Sequence, residues 1–157
     1  MACDAMIRST QFHPAGSWPE AEAVDSVTLD FDLRHRRRIA LTTDAGHALL
    51  LDLPKAVALA DGDGLRTETG QWVSVRAAAE SLLEVSARDP HHLTRLAWHI
   101  GNRHVPAEIE AAVIRIRPDH VIAEMLRGLG ATVREVHAPF QPERGAYAHH
   151  GGHGHDH

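Results

Sequence analysis

Residues 81–140 read SLLEVSARDPHHLTRLAWHIGNRHVPAEIEAAVIRIRPDHVIAEMLRGLGATVREVHAPF, and the fold turns on the changes of hydrophobic period inside them. SLLEVSA (81–87) is a short apolar run that reads as a strand. Asp89 then Pro90 is an N-cap residue followed by a proline at the first helical position. Leu93, Leu96, Ala97 and Ile100 recur at i, i+3, i+4 and i+7, the apolar stripe of a helix. Gly101–Asn102, able to take left-handed dihedrals, is expected to end it. HVPAEIE and AVIRIR read as two strands. PDHVIAEMLRGLG reads as a second helix, capped by Asp119, with Val121, Ile122, Met125, Leu126 and Leu129 directed inward and Gly130 as its stop. ATVREVHAPF supplies a last strand, and the order β-α-β-β-α-β is the split-βαβ, ferredoxin-like pattern.

Upstream the period is two. VDSVTLDFDL alternates Val27, Leu29, Phe31 and Leu33 with polar residues, the pattern of a half-buried strand. RHRRRIALTT and DAGHALLLDL follow, broken at Asp44–Gly46, and ADGDGLRTETGQWVSVRA gives two more short strands around the Thr69–Gly70 turn. The expected class is therefore α+β. A small all-β domain (1–76), of sandwich or barrel-like type, precedes a ferredoxin-like domain (77–140) and a flexible, low-complexity Gly/His tail (141–157). Domains this small have marginal cores, so oligomerisation is expected.

Composition removes several classes of function. With 43% hydrophobic and 24% charged residues in 157, the chain can bury a core. A net charge of −5 lacks the basic field that displaces counterions from nucleic-acid phosphates. MACDAMIRST has no apolar leader core, and no run approaches the roughly 20 apolar residues of a membrane span. Cys3 is the single cysteine, so no intrachain disulfide forms, which fits a reducing cytosol. There is no HExxH, GxSxG or phosphate-binding GK[ST] loop, so the chain reads as a non-enzyme without its own nucleotide site.

What the chain has in excess is imidazole: 14 histidines against a single tyrosine. His149, His150, His153, His155 and His157 stand among glycines at the carboxyl end, where neutral imidazoles on a pliable chain suit Ni²⁺, Cu²⁺ or Zn²⁺. Such binding weakens as pH falls through about 6.5, because ligands must shed their protons. His104, in GNRHVP, follows a helix end; one histidine is not a site, but a two-fold axis would set its own copy beside it. His92 and His99 share a helix face but stand two turns apart, about 10.5 Å, too far for one ion. They, His91, and the isolated His13, His35 and His47 read as solvated or partly packed. RHRRR (34–38) reads as a solvated face that resists edge pairing, and ADGDG as a turn rather than a calcium loop.

GNRHVP, then PDHVIAEMLRGLGATV, then APFQPERGAY and a His-rich end, in that order, resembles the UreE family of urease accessory proteins. The likeness extends back through LRHRRRIALTTDAG and LLLDLPKAVALADGDGL, so it spans nearly the whole chain. It implies a cytoplasmic homodimer whose β domain docks partners and whose ferredoxin-like domain dimerises. It further implies a Ni²⁺ carrier that serves a urease maturation GTPase and the urease apoprotein, with neither nucleic acid nor membrane involved. The family's metal histidine falls on His104, one from each protomer, with tail histidines completing or feeding the site. One departure stands out: some relatives carry a histidine two residues before the one in DHV, and here that position is Pro118, which leaves His120 without a close partner. Two rival functions are a His-rich metal buffer without delivery, and a metal-dependent hydrolase using Asp119 or Glu108.

Overall fold

The alternating stretches of the first eighty residues do form strands, and all of them join one six-stranded sheet. In the computed structural model, which describes residues 6–144, these are β1 (Ile7–His13), β2 (Ala23–Leu29), β3 (Arg38–Thr42), β4 (Ala48–Asp52), β5 (Gly64–Thr67) and β6 (Trp72–Ala77). The order across the sheet is β2-β6-β5-β1-β4-β3. β1 with β4 and β2 with β6 run parallel, and the remaining pairs antiparallel. The sheet curls on itself: the Asp44 N–H donates to Ser26 O, and the Asp44 carboxylate accepts from the Ser26 and Thr28 hydroxyls, tying the β3–β4 turn to β2. Val27, Leu29, Leu49, Leu51, Leu53, Leu59, Leu65, Val73 and Val75 fill the interior.

Arg34 overturns the reading of RHRRR as a solvated face. Its side chain is 2% exposed. Its guanidinium donates to the carbonyls of Leu29, Leu59 and Phe140 and to the carboxamide of Gln141. Burial pulls its pKa down, while Glu80, Asp61, Asp30 and Asp63 act on it at longer range to raise it again. The sequence period hid this because Asp30–His35 leaves the strand for a tight turn in which the Leu33 N–H bonds Asp30 Oδ1. Arg37 and Arg38 instead flank Asp52, at 3.7 and 3.9 Å. Among the described residues, 138–141 belong by contact pattern with 6–80 in one compact unit, and 81–137 with 142–144 in a second.

The second unit carries β7 (Ala79–Ser86), α1 (Pro90–Asn102), β8 (Ala107–Ile109), β9 (Val113–Ile116), α2 (His120–Gly128) and β10 (Thr132–Pro139). Its sheet order is β10-β7-β9-β8. Both helix starts are capped as the sequence indicated: Asp89 accepts from the His92 N–H, and Asp119 from those of Val121 and Ile122. Leu96 and Ile100 of α1 and Ile122, Ala123 and Leu126 of α2 pack on Leu83, Val85, Ile114 and Ile116. Val121 departs from its expected inward direction. It is 61% exposed, because the core stripe of α2 runs through Ile122, Ala123 and Leu126 and leaves the preceding position facing outward.

The other face of this sheet is a row of alternating charge. Glu84 on β7 and Glu108 on β8 both lie in register with Arg115 on β9. Arg115 bonds Glu84 at 3.2 Å and Glu108 at 3.0 Å. Arg134 on β10 bonds Glu84 at 2.7 Å. Opposite charges directly across strands reward one register, and a one-residue slip would set every one of these groups on the wrong face.

Two tests follow from this packing. Gly64 lies under the Trp18 ring, and an alanine Cβ would fall within 2.8 Å of three of its carbons. Gly64→Ala should therefore lose about 1–3 kcal/mol in urea unfolding, with altered Trp fluorescence. The hydrogen bond from Arg134, then that from Arg115, hold the Glu84 carboxyl below its ordinary range. Its contribution to stability is thus complete above the unfolded carboxyl pKa and lost as pH falls through the folded one. Arg115→Leu removes the smaller of these two holds and leaves that of Arg134, so the variant should lose less stability than the parent over the same acid range in urea unfolding.

Candidate metal centre

Helix α1 ends at Asn102, as Gly101–Asn102 indicated, with Ile100 in the core and Val105 packed against it. Its last turn tightens, with Arg103 N donating to Ile100 O and His104 N to Gly101 O. Pro106 restricts Val105 to extended backbone, so the reversal has to fall on the residues between. It falls on His104, at φ 55°, the sole positive-φ non-glycine among the described residues. The helix stops where expected, but the left-handed position belongs to His104 rather than to Gly101 or Asn102. Histidine tolerates that region better than most residues, yet the conformation costs about 1–2 kcal/mol. The outcome is an exposed imidazole just beyond the end of a helix that buries one face.

His120 is the first residue of α2 and is exposed, directly after the cap Asp119. The segments bearing the two histidines border one cleft of about 330 Å³, lined by Val105, Pro106, Ile116, Arg117, Pro118, Asp119 and Ile122. His120 itself edges a neighbouring cleft of about 280 Å³, together with Glu124, Arg127 and Glu135. Among the described residues, no three His, Cys, Asp or Glu side chains stand together as a metal site. A tight site on His104 therefore needs donors from a second copy of the chain or from the carboxyl end. His149, His150, His153, His155 and His157 lie outside the described residues.

Of the histidines read as solvated or partly packed, His13 and His35 are half-buried and exposed, respectively, as expected, while His92 is not. His92 is buried: its Nδ1 accepts from the Arg88 N–H at 3.0 Å, and its Nε2 donates to Leu129 O at 2.8 Å. It thus ties the start of α1 to the end of α2. His35 Nδ1 bonds Phe31 O at 2.7 Å, and the His13 ring meets Trp72 edge-on at 4.9 Å. The aspartates of ADGDG also serve the backbone: Asp61 accepts from the Ala77 N–H, and Asp63 from those of Ala15 and Ala60. What the sequence reading missed is the chain end near His104. The Glu143 N–H donates to Ala107 O at 2.8 Å, a backbone bond that side-chain periodicity cannot reveal.

Comparison with known proteins is consistent along the chain. Residues 8–78 match the family described as UreE urease accessory protein, N-terminal domain, and residues 80–157 match its C-terminal domain. A urease accessory protein UreE from Bradyrhizobium sp. strain BTAi1 is 59% identical over 143 residues, 91% of this chain and 69% of the relative. Another from Agrobacterium fabrum is 54% identical over 151 residues, 96% of this chain and 93% of the relative.

The left-handed backbone makes a prediction about His104 that separates fold from ligand. His104→Gly should match or exceed the parent in urea unfolding, by up to about 1 kcal/mol, because glycine adopts this conformation freely. His104→Val should lose about 1–3 kcal/mol, since a β-branched residue is strained there. Equal stability of the two variants would contradict the assigned geometry.

Proposed function

The chain belongs to the UreE family of urease accessory proteins, and from that premise we propose that it carries Ni²⁺ in the cytoplasm to the urease assembly machinery. The observation that carries this reading is the imidazole of His104, exposed on a strained helix end, in a chain whose described residues offer it no intrachain ligand cluster. A residue kept at a conformational cost, where glycine would be easier, points to a role for its side chain.

The proposed working unit is a homodimer in which the second unit, read as ferredoxin-like from its βαββαβ order and β10-β7-β9-β8 sheet, brings two copies of His104 to the two-fold axis. Two imidazoles leave a coordination shell incomplete, and histidines from the carboxyl end complete it. His120 is an auxiliary donor at most, since Pro118 occupies the place of a neighbouring ligand. An incomplete shell binds firmly yet exchanges ligands readily, so the ion passes stepwise to an acceptor and is never released bare. The β-rich unit docks the maturation GTPase and the urease apoprotein. Cu²⁺ and Zn²⁺ compete for the same imidazoles, and the Irving–Williams order places Cu²⁺ above Ni²⁺, so supply and geometry set the cargo.

Calorimetric Ni²⁺ titration tests this, using the full chain, a chain stopped after Tyr147, and His104→Ala, with dimer mass measured alongside. The expected result is one tight ion per dimer that survives truncation and vanishes in His104→Ala, while the truncated chain loses additional weaker equivalents. If truncation instead abolishes all binding, the protein is a His-rich buffer rather than a carrier.

A further inference from the structure

The RHRRR run gives one cation, Arg34, to the interior, and Asp52 organises the arginines that stay outside. β4 lies between β1 and β3 in the sheet. Asp52, the last residue of β4, stands in register with Arg38 on β3. Arg8 on β1 stands in register with Leu50, two positions before Asp52. Strand alternation puts Arg8, Arg38 and Asp52 on the face turned away from buried Leu49 and Leu51. The Asp52 carboxylate accepts from Arg8 Nη2 at 2.7 Å and from Arg8 Nε at 3.2 Å. Arg8 Nη1 donates to Glu68 at 2.8 Å, so Arg8 is committed to two acids.

Arg37 and Arg38 are not. They stand 3.7 and 3.9 Å from Asp52, too far for a hydrogen bond, with side chains 50% and 59% exposed. Arg37 Nη1 donates instead to Leu53 O at 3.1 Å. Among the described residues, the Arg38 side chain donates no hydrogen bond, and exposed Arg36 meets no acid. Asp52 therefore sets the places of these guanidiniums while leaving most of their N–H edges open. Two carboxylates among four guanidiniums make a positive patch on a chain whose net charge is −5. Each guanidinium presents its donors in a planar fork that matches a carboxylate.

We propose that Arg36, Arg37 and Arg38 form the docking surface of the β-rich unit for an acidic face of a protein partner. The proposal rests on the docking reading above and gives it a place on the sheet. Carboxylates spaced along a protein surface can each meet one fork, and the gaps between them accommodate Asp52 and Glu68. A dense row of phosphates would be pressed against those two acids and repelled by the negative chain around them. The patch acts chiefly on encounter, because opposed fields raise the association rate and salt screens them.

The test is association of the full chain with the purified maturation GTPase and, separately, with the urease apoprotein, in rising salt. With at least one of them, the rate should fall steeply between about 0.01 and about 0.15 M salt, as the screening length drops from about 30 to about 8 Å. Joint Arg37→Glu and Arg38→Glu should slow low-salt association about tenfold and alter dissociation less. Arg36→Glu breaks no ion pair, so it should reproduce part of that loss with urea unfolding unchanged. Arg38→Lys keeps the charge and should retain most of the rate. Binding of both partners that ignores the glutamate substitutions overturns the surface and leaves the docking reading standing. A parent chain that binds neither partner overturns both. Random-sequence duplex DNA bound as tightly as either protein, and lost in the same variants, would make the patch a general polyanion site and reject the proposal.

Discussion

A guanidinium sealed from water, with only carbonyl and carboxamide oxygens in contact, is the most demanding group in this protein. Arg34 keeps its charge, so each of its donors must end on an oxygen. An unmet charged donor in the interior costs more than an unmet neutral one. Those oxygens come from Leu29 at the end of β2, Leu59 in the loop after β4, and Phe140 and Gln141 near the end of the described chain. One side chain thereby fixes the exit of a strand, the path of a long loop and the place where the carboxyl segment departs. The flanking charges then take conventional roles, with Arg37 and Arg38 flanking Asp52 near the sheet edge.

The second unit shows how a single exposed imidazole can be given a fixed address. α1 is locked at its start by the Asp89 cap and by buried His92, and at its end by Ile100 in the core. β8 is locked by the cross-strand pairing of Glu108 with Arg115. Only Arg103 to Pro106 remain to connect the two, and that short span forces the left-handed turn onto His104. Local strain is tolerated because the surroundings over-determine it.

Much of this was legible in the sequence, where local signals and burial agree. Asp89–Pro90 and Asp119 announced both helices, the alternation of Val27 and Leu29 announced β2, and the break at Asp44–Gly46 separated β3 from β4. The failures have physical causes. β1 escaped notice because its core-facing position is Ser9, buried by donating its hydroxyl to Arg66 O rather than by being apolar. Gly101–Asn102 did mark the end of α1, but the left-handed turn fell on His104, because propensity is blind to Ile100 and Val105 needing the same core. His92 and Arg34 were read as surface groups because polar residues usually are, and nothing local reveals partners 37 to 107 residues away. The likeness of GNRHVP and its neighbours to a known family located the candidate site; the backbone conformation at His104 came only from the fold.

The same distance along the chain has a consequence for synthesis. Arg34 leaves the ribosome 106 residues ahead of the carbonyl that will receive it. Domains generally fold in the order they emerge, but here the amino-terminal unit must wait: until Phe140 and Gln141 arrive, its buried cation lacks two of its four acceptors. β7 to β10, whose partners are all made in the interval, can assemble first. Translation thus finishes the first-made unit last, and does so with the residues that lead directly into the histidine-bearing end. A nascent chain halted before Phe140 would hold an open amino-terminal unit, and the last residues of the sequence are made only after the groups that close it.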